Sequence, residues 1–368
     1  MAGGGGTRLW PASTAPRPKQ LLDPLLGAPT DDGTPSDTLV AQTVARLAGL
    51  VDAADVWVVV GHDQLEGVRE ALPQLPAQNF VVEPARRNTA PCIALSVAHI
   101  RASIGSDADT ATLIVLPADH HVRQPHKLRG LLAAACAHAE AAHTIVTLGI
   151  EPDHPATGFG YLERMPTPLP AVEGDDGVPV FAAKRFVEKP DRATAQQFVD
   201  AKVYAWNAGI FVMPLSRIET ELQEHCAPMW QALAPVRTAL DGQGPDAVNA
   251  ATRVAYRAVE GSPIDIAVME KQADLRVITA SVGWTDLGSW RSVHAIGTPD
   301  PKGNVCIAAP GAQTVVQDGE GNLVWSEDAT VGVLGVSGLA VVASGGRVLV
   351  CPLDRAEEVK ALLTRLDD

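Results

Sequence analysis

Four consecutive glycines near the start of the chain, Gly3-Gly4-Gly5-Gly6, run into Thr7 and Arg8, and Arg17 and Lys19 follow shortly after. Successive glycines let backbone N–H groups approach a polyphosphate closely, and a guanidinium beside them adds charge-assisted hydrogen bonds. The stretch is not a Walker loop, because no Gly-Lys-Ser/Thr follows. Nor is it a dinucleotide fingerprint, since Arg8 and Leu9 stand where the third glycine would fall. A flexible tail is the competing reading. The three nearby cations, in an acidic chain, favour the phosphate.

Asp119 follows the apolar run Leu113–Leu116, where open α/β sheets keep functional groups. A carboxylate there is a good Mg²⁺ ligand, although a turn or capping aspartate would look the same. His120 and His121 could ligate a metal, but Mg²⁺ prefers oxygen, so both read as loop histidines. His138 and His143 read as solvated residues on a polar helix face. Glu188-Lys189-Pro190 ends the run Arg185-Phe186-Val187. Its carboxylate and ammonium could grip a sugar hydroxyl and a phosphate, or form a surface ion pair. Asn207, between Trp206 and Gly209, suits a hydroxyl contact or a turn. Asp286 lies within Trp284-Thr285-Asp286-Leu287-Gly288-Ser289-Trp290, which lines a pocket or packs as a tryptophan loop.

The elements that must position these groups alternate in type. Short apolar runs at Val56–Val60, Phe80–Val82, Leu113–Leu116 and Thr144–Leu148 predict buried strands. Between them, helical spacing predicts helices over Asp37–Leu50, with Asp37 as cap, from Asn88 through Ile104, and over His126–Ala142. Longer strand-like stretches follow, including Phe181–Lys189 and Gly209–Met213. The alternation predicts an α/β fold with a mostly parallel, doubly wound sheet. After Pro299 short β-rich runs recur roughly every 8–10 residues up to Cys351, then a closing helix over Asp354–Leu366. This predicts a catalytic domain over 1–298 and a tightly packed β-rich module over 299–368.

Composition narrows the class further. The 368 residues are 46% hydrophobic and 20% charged, with a net charge of −14 and a mean hydropathy of +0.07. Such an acidic chain is a poor partner for nucleic acid, though a local basic pocket could hold a small anion. No apolar run reaches the length of a membrane helix and no signal-peptide pattern opens the chain, so the expected address is cytoplasmic. The five cysteines form no CxxC pair and read as buried, inert thiols.

Taken in order, these segments resemble the nucleotidyltransferases that make nucleoside-diphosphate sugars, and among them the bacterial mannose-1-phosphate guanylyltransferases. The carriers are Gly3–Pro11 with Pro18-Lys19-Gln20, Glu83–Pro91 (EPARRNTAP), Leu116–His120, Thr157–Tyr161 (TGFGY), Phe186–Pro190, Trp206–Phe211, Ile264–Lys271 and Trp284–Trp290. The resemblance spans essentially the whole chain. It implies a left-handed β-helix at the C-terminus and a homodimer as the assembly. It further implies transfer of GMP from GTP to mannose 1-phosphate, with Mg²⁺ held by Asp119 and Asp286. Arg8 and Lys19 would steady the β- and γ-phosphates over the Gly3, Gly4, Gly5, Gly6 and Thr7 backbone. Lys189 would orient the sugar phosphate, with Glu188, Asn207 and the Gly160 backbone on mannose hydroxyls. Glu83, Arg87, Asn88 and Thr89 would lie near the guanine. A further isomerase-type domain, known in some relatives, finds no room here, so transferase activity alone is expected.

Gly5 replaces the family's usual serine. The strand expected directly before the glycine loop is absent from the sequence, which suggests either a natural start further upstream or a poorly anchored loop. The competing functions are another hexose 1-phosphate or base, and a non-catalytic paralogue that binds sugar nucleotide. Arg87-Asn88-Thr89-Ala90-Pro91 argues against the first, and retention of Asp119, Asp286, Arg8 and Lys19 against the second.

Overall fold

A computed structural model describes residues 1–3, 7–28 and 36–366. Its strands are β1 (Val58–Gly61), β2 (Phe80–Glu83), β3 (Thr112–Val115), β4 (His121–Val122), β5 (Val146–Ile150), β6 (Tyr161–Pro168), β7 (Val180–Val187), β8 (Tyr204–Pro214), β9 (Arg276–Ala280) and β10 (Trp284–Thr285). Six more follow: β11 (Val305–Ala308), β12 (Gln313–Gln317), β13 (Leu323–Ser326), β14 (Thr330–Leu334), β15 (Leu339–Ser344) and β16 (Arg347–Pro352).

The central sheet has the order β3-β8-β5-β9-β7-β6, and β1 pairs in parallel with β2. The α/β class holds, but the sheet is mixed rather than mostly parallel. β3 and β5 both run antiparallel to β8, which lies between them, and β5 runs parallel to β9. β3, β5 and β9 therefore share one direction, as a doubly wound sheet requires. The antiparallel pairings come from β8 and β7, which run against the others: β8 against β3, β5 and β6, and β7 against β6 and β9. Helices Thr89–Ile104 and Pro125–Ala142 flank the sheet and feed two apolar cores. The first is capped by the Asn88 side chain, the second begins on Pro125, where a missing N–H costs nothing.

Met1 and Ala2 lie between β1 and β3. The Met1 ammonium donates to the Leu116 carbonyl, Ala118 N–H donates to Met1 O, and Ala2 N–H donates to Val59 O. The first two bonds are the signature of one parallel bridge opposite Pro117. Beyond them, alongside Val56–Val59 and Ala111–Leu116, the two strand edges are separated by a cavity of about 690 Å³. Met1 and Ala2 thus bridge only part of the space between the two edges.

The C-terminal module coils. β13 stacks on β11 with an offset of 18 residues (Val305↔Leu323), and β15 on β13 with an offset of 17 (Leu323↔Ala340). β14 stacks on β12 at the same interval (Gln313↔Thr330). A corner of the coil is pinned by Asn322, whose amide donates to Asn304 Oδ1 at 3.0 Å while its own Oδ1 accepts from Leu339 N–H at 3.0 Å. The module shares one core with the N-terminal segment: Leu9, Leu22 and Leu39 pack with Leu287, Trp290, Trp325 and Val359. Trp325 Nε1 donates to Pro24 O, and Trp290 Nε1 to Trp10 O.

Several local expectations need correction. Thr38, not Asp37, caps the first helix, which spans only Leu39–Ala45. The closing helix is a 3₁₀ turn, Leu353–Glu358, followed by a short helix, Val359–Leu363. Only Cys92 is buried, and burial pushes its thiol up to about 12. Cys306 is exposed because it alternates with inward Val305 and Ile307 on a coil face. His138 is 1% exposed and paired with Asp175 at 3.2 Å, while Arg276 bonds its other ring nitrogen. His143 does lie exposed, at the helix end. His121 is buried in β4. Among the described residues no helix is long and apolar enough to cross a membrane.

Candidate functional site

Asp119 and Asp286 are far apart in sequence, and a two-residue ladder brings them together. β4 and β10 pair antiparallel, Trp284 opposite Val122 and Thr285 opposite His121, so the residues flanking each strand meet. Trp284 Nε1 donates to His120 Nδ1 at 3.1 Å, leaving the ring proton on Nε2, 3.8 Å from Asp119 Oδ1. Burial pushes the His120 imidazole down to about 4 against the pull of Asp119, so it stands neutral there. Arg46, itself buried, fixes the same turn by donating to His120 O at 2.7 Å.

Lys19 links the two acids. Its ammonium is 3.0 Å from Asp119 Oδ2 and also donates to the backbone carbonyl of Asp286. Burial works to raise the Asp119 carboxyl, but the Lys19 ammonium outweighs it and the group stands below the ordinary range. Asp286 is turned by its own loop, its Oδ1 accepting from Gly288 N–H at 3.0 Å. A Cβ at Gly288 would come within 2.9 Å of Asp286 Oδ2, so only glycine leaves that carboxylate in place.

At the other end, a bulge aims Asn207. The β5–β8 register slips between Leu148 and Gly149, so Ala208 and Gly209 loop out of the ladder. Asn207 then donates to Asp265 Oδ1 at 2.5 Å and accepts from Gly209 N–H at 3.0 Å. Gly160 O accepts from Asn207 N–H at 2.8 Å. A Cβ at Gly160 would fall 2.7 Å from Glu188 Oε2. Glu188 in turn pairs with Lys189 at 2.7 Å. Glu83 ends β2 buried, its Oε1 accepting from Tyr256 Oη at 2.9 Å, and burial raises its carboxyl despite that bond. Thr89 Oγ1 accepts from Ile264 N–H at 2.8 Å, tying the helix start to the Asp265 segment.

The structure gathers these groups into two cavities. Gly3, Glu83, Arg87, Asn88, Thr89, Gly160, Glu188, Lys189 and Asn207 line one of about 510 Å³. Arg8 and Lys19 line a smaller one of about 290 Å³. Asp119, His120 and Asp286 line both, so the two acids stand at the junction. Gly4, Gly5, Gly6 and the Thr7 side chain lie outside the described residues. Sequence reasoning assigned no role to Asp265, Gln20, Trp284 or Lys360, all of which line a cavity. Asp265 sat within a recognised segment. Lys360 carried no signal at all, being an ordinary lysine on the closing helix.

Among the described residues no group of three or more His, Cys, Asp or Glu forms a metal cage. Two carboxylates facing a polar cavity suit Mg²⁺, which keeps several waters and takes the rest of its shell from substrate phosphates.

Comparison with known proteins establishes the family. The nucleotidyl transferase family model matches residues 1–301, and a mannose-phosphate isomerase/GMP-like beta-helix domain matches 312–366. A mannose-1-phosphate guanylyltransferase of Escherichia coli K12 is 34% identical over 370 residues, covering 100% of this chain and 72% of that protein. The alginate biosynthesis protein AlgA of Pseudomonas aeruginosa is 35% identical, with 100% and 71% covered. A crystal structure described as mannose-1-phosphate geranyltransferase from Thermus thermophilus superposes with a TM-score of 0.82 at 32% identity, covering 100% of this chain and 98% of that one. The chain therefore belongs to the nucleotidyl transferase family, among the mannose-1-phosphate guanylyltransferases.

Proposed function

We propose that this chain transfers GMP from GTP to mannose 1-phosphate, releasing pyrophosphate. The observation that carries the reading is the junction: Asp119 and Asp286 line both a base-and-sugar-sized cavity and a small cationic one. A phosphate oxygen of mannose 1-phosphate attacks the α-phosphorus. The bond from that phosphorus to the oxygen bridging the β-phosphate breaks, and its electron pair leaves with pyrophosphate. The nucleophile is already an anion, so neither a general base nor a covalent intermediate is needed. The protein has to hold two anionic partners in line and offset the charge that builds up.

Asp119 and Asp286 would hold Mg²⁺, which supplies charge neutralisation between the phosphates when bound. Lys19 and Arg8 hold the β- and γ-phosphates in the smaller cavity. Lys189 orients the sugar phosphate, while Glu188, Asn207 and the Gly160 backbone take mannose hydroxyls. The segment Glu83–Thr89 lies on the guanine.

The test is pyrophosphate release with Mg²⁺, offering GTP, ATP, UTP and TTP against mannose 1-phosphate and glucose 1-phosphate. GTP with mannose 1-phosphate is expected to be the fastest pair. No turnover with that pair, or faster turnover with another, contradicts the proposal.

A further inference from the structure

Lys360 belongs to the C-terminal module, yet it lines the smaller cavity with Arg8, Lys19, Asp119 and Asp286. Its neighbour explains the placement. Val359 is buried in the core that also holds Leu9 and Leu287. The short helix Val359–Leu363 consequently packs on the turn Thr7–Leu9, next to Arg8, and Leu287 brings Gly288 and Asp286 to the same wall. Lys360 is exposed, and among the described residues neither it nor Arg8 has an ion-pair partner. Lys19 alone of the three cations is matched by a carboxylate. Two unmatched positive groups around a small cavity, in a chain of net charge −14, mark a place for a polyanion.

We infer that Lys360 binds the pyrophosphate end of the nucleotide, so that the C-terminal module supplies part of the leaving-group site. The inference rests on the reading above that Arg8 and Lys19 face the β- and γ-phosphates. Lysine suits the role as a point charge on a flexible stem, able to follow the pyrophosphate as its bond to the α-phosphorus breaks. The contribution is to binding and charge, with no proton or covalent step at Lys360.

Isothermal titration with magnesium pyrophosphate tests the site apart from turnover. Lys360→Ala is expected to weaken pyrophosphate binding about tenfold, the scale of one lost charge-assisted hydrogen bond. Lys360→Arg is expected to stay within about twofold, since the charge remains. In the steady state, Lys360→Ala raises the KM for GTP and leaves that for mannose 1-phosphate and the Tm unchanged. Arg365→Ala, an exposed change at the same end of the chain, alters none of these. Equal pyrophosphate affinity in the wild type and Lys360→Ala, or no pyrophosphate binding by the wild type, overturns the inference. Absence of GTP turnover alongside a clear pyrophosphate difference overturns the GTP reading instead.

Discussion

The larger cavity mixes its chemistry: Glu83, Asn88, Asn207 and Asp265 present acceptors and amides, Phe159 and Trp284 present rings, and Arg87 and Lys189 add charge. The smaller one is almost wholly ionic. Apart from His120 and Gly288 it holds two shared aspartates and three cations, Arg8, Lys19 and Lys360. They also rest on different supports. The larger is framed by strand ends and the β8 bulge over the two sheet cores. The smaller is framed by loops that pack on the coil of the C-terminal module. Shape and hydrogen-bond pattern can discriminate a base and a hexose, whereas a polyphosphate is recognised mainly by charge. The division suggests that selectivity and leaving-group stabilisation can be damaged separately.

The junction is where both should fail together. Asp119→Asn or Asp286→Asn is expected to lower kcat/KM by about 10³ or more, by analogy with loss of a preorganised charge in other active sites. Thermal melting should change little, since neither residue is in the core. Steady-state kinetics with a melting curve checks this, and wild-type kinetics in either variant removes the junction from the account. Within the smaller cavity, Lys19→Ala is expected to cost about 10²–10³ in kcat/KM. It should leave relative rates with different bases unaltered, which the nucleotide panel reads out.

Within the larger cavity the expected damage is milder and selective. Glu83→Gln is expected to raise the KM for GTP by about tenfold, with kcat nearly retained. The wild type should show a pH dependence that this variant lacks. Burial raises the Glu83 carboxyl above its ordinary value, so as pH falls it gains a proton earlier than an exposed glutamate and loses acceptor capacity. The KM for GTP therefore rises as pH drops into the mildly acidic range. A KM profile that is flat there, or identical in the two proteins, contradicts the role.

The smallest effect concerns support rather than chemistry. The cavity between β1 and β3 is lined by apolar side chains, with Val58, Ile93, Ile100, Leu113 and Val115 along it. Adding about six alternating Val and Ile residues ahead of Met1 is expected to raise the Tm by about 4 °C, because buried side chains gain more than the ordering of the segment costs. A Gly/Ser extension of equal length should not. Equal melting temperatures for the two extensions would show that the gap does not accept a strand.

Much of the fold was legible because its signals are local. Val58-Val59-Val60 can only be a buried strand in a chain of this class, and Asn88 ahead of Ile93 and Val97 announces a capped helix. The coil showed itself through short runs at regular spacing. Pairing was not legible. Nothing in the residues of β8 says that it inserts antiparallel between β3 and β5, because strand direction is set by the path of the chain. His138 was misread for a related reason: it falls on the buried face of its helix beside Leu132 and Ala135, where Asp175 and Arg276 come from distant segments to satisfy its ring. In the site, the strand-end carboxylate Asp119 and the loop carboxylate Asp286 advertised themselves by type. Lys360 could not, since only the shared core around Val359 carries it to the smaller cavity.

The central claim is that Asp119 and Asp286 act on one divalent ion together with the nucleotide. Titration of Mn²⁺ followed by electron paramagnetic resonance, with GTP present, measures it directly. The wild type is expected to remove free Mn²⁺ from solution at one ion per chain beyond what GTP alone removes. Asp119→Asn and Asp286→Asn should each lose that excess binding. Retention of wild-type Mn²⁺ affinity in either variant would contradict the account.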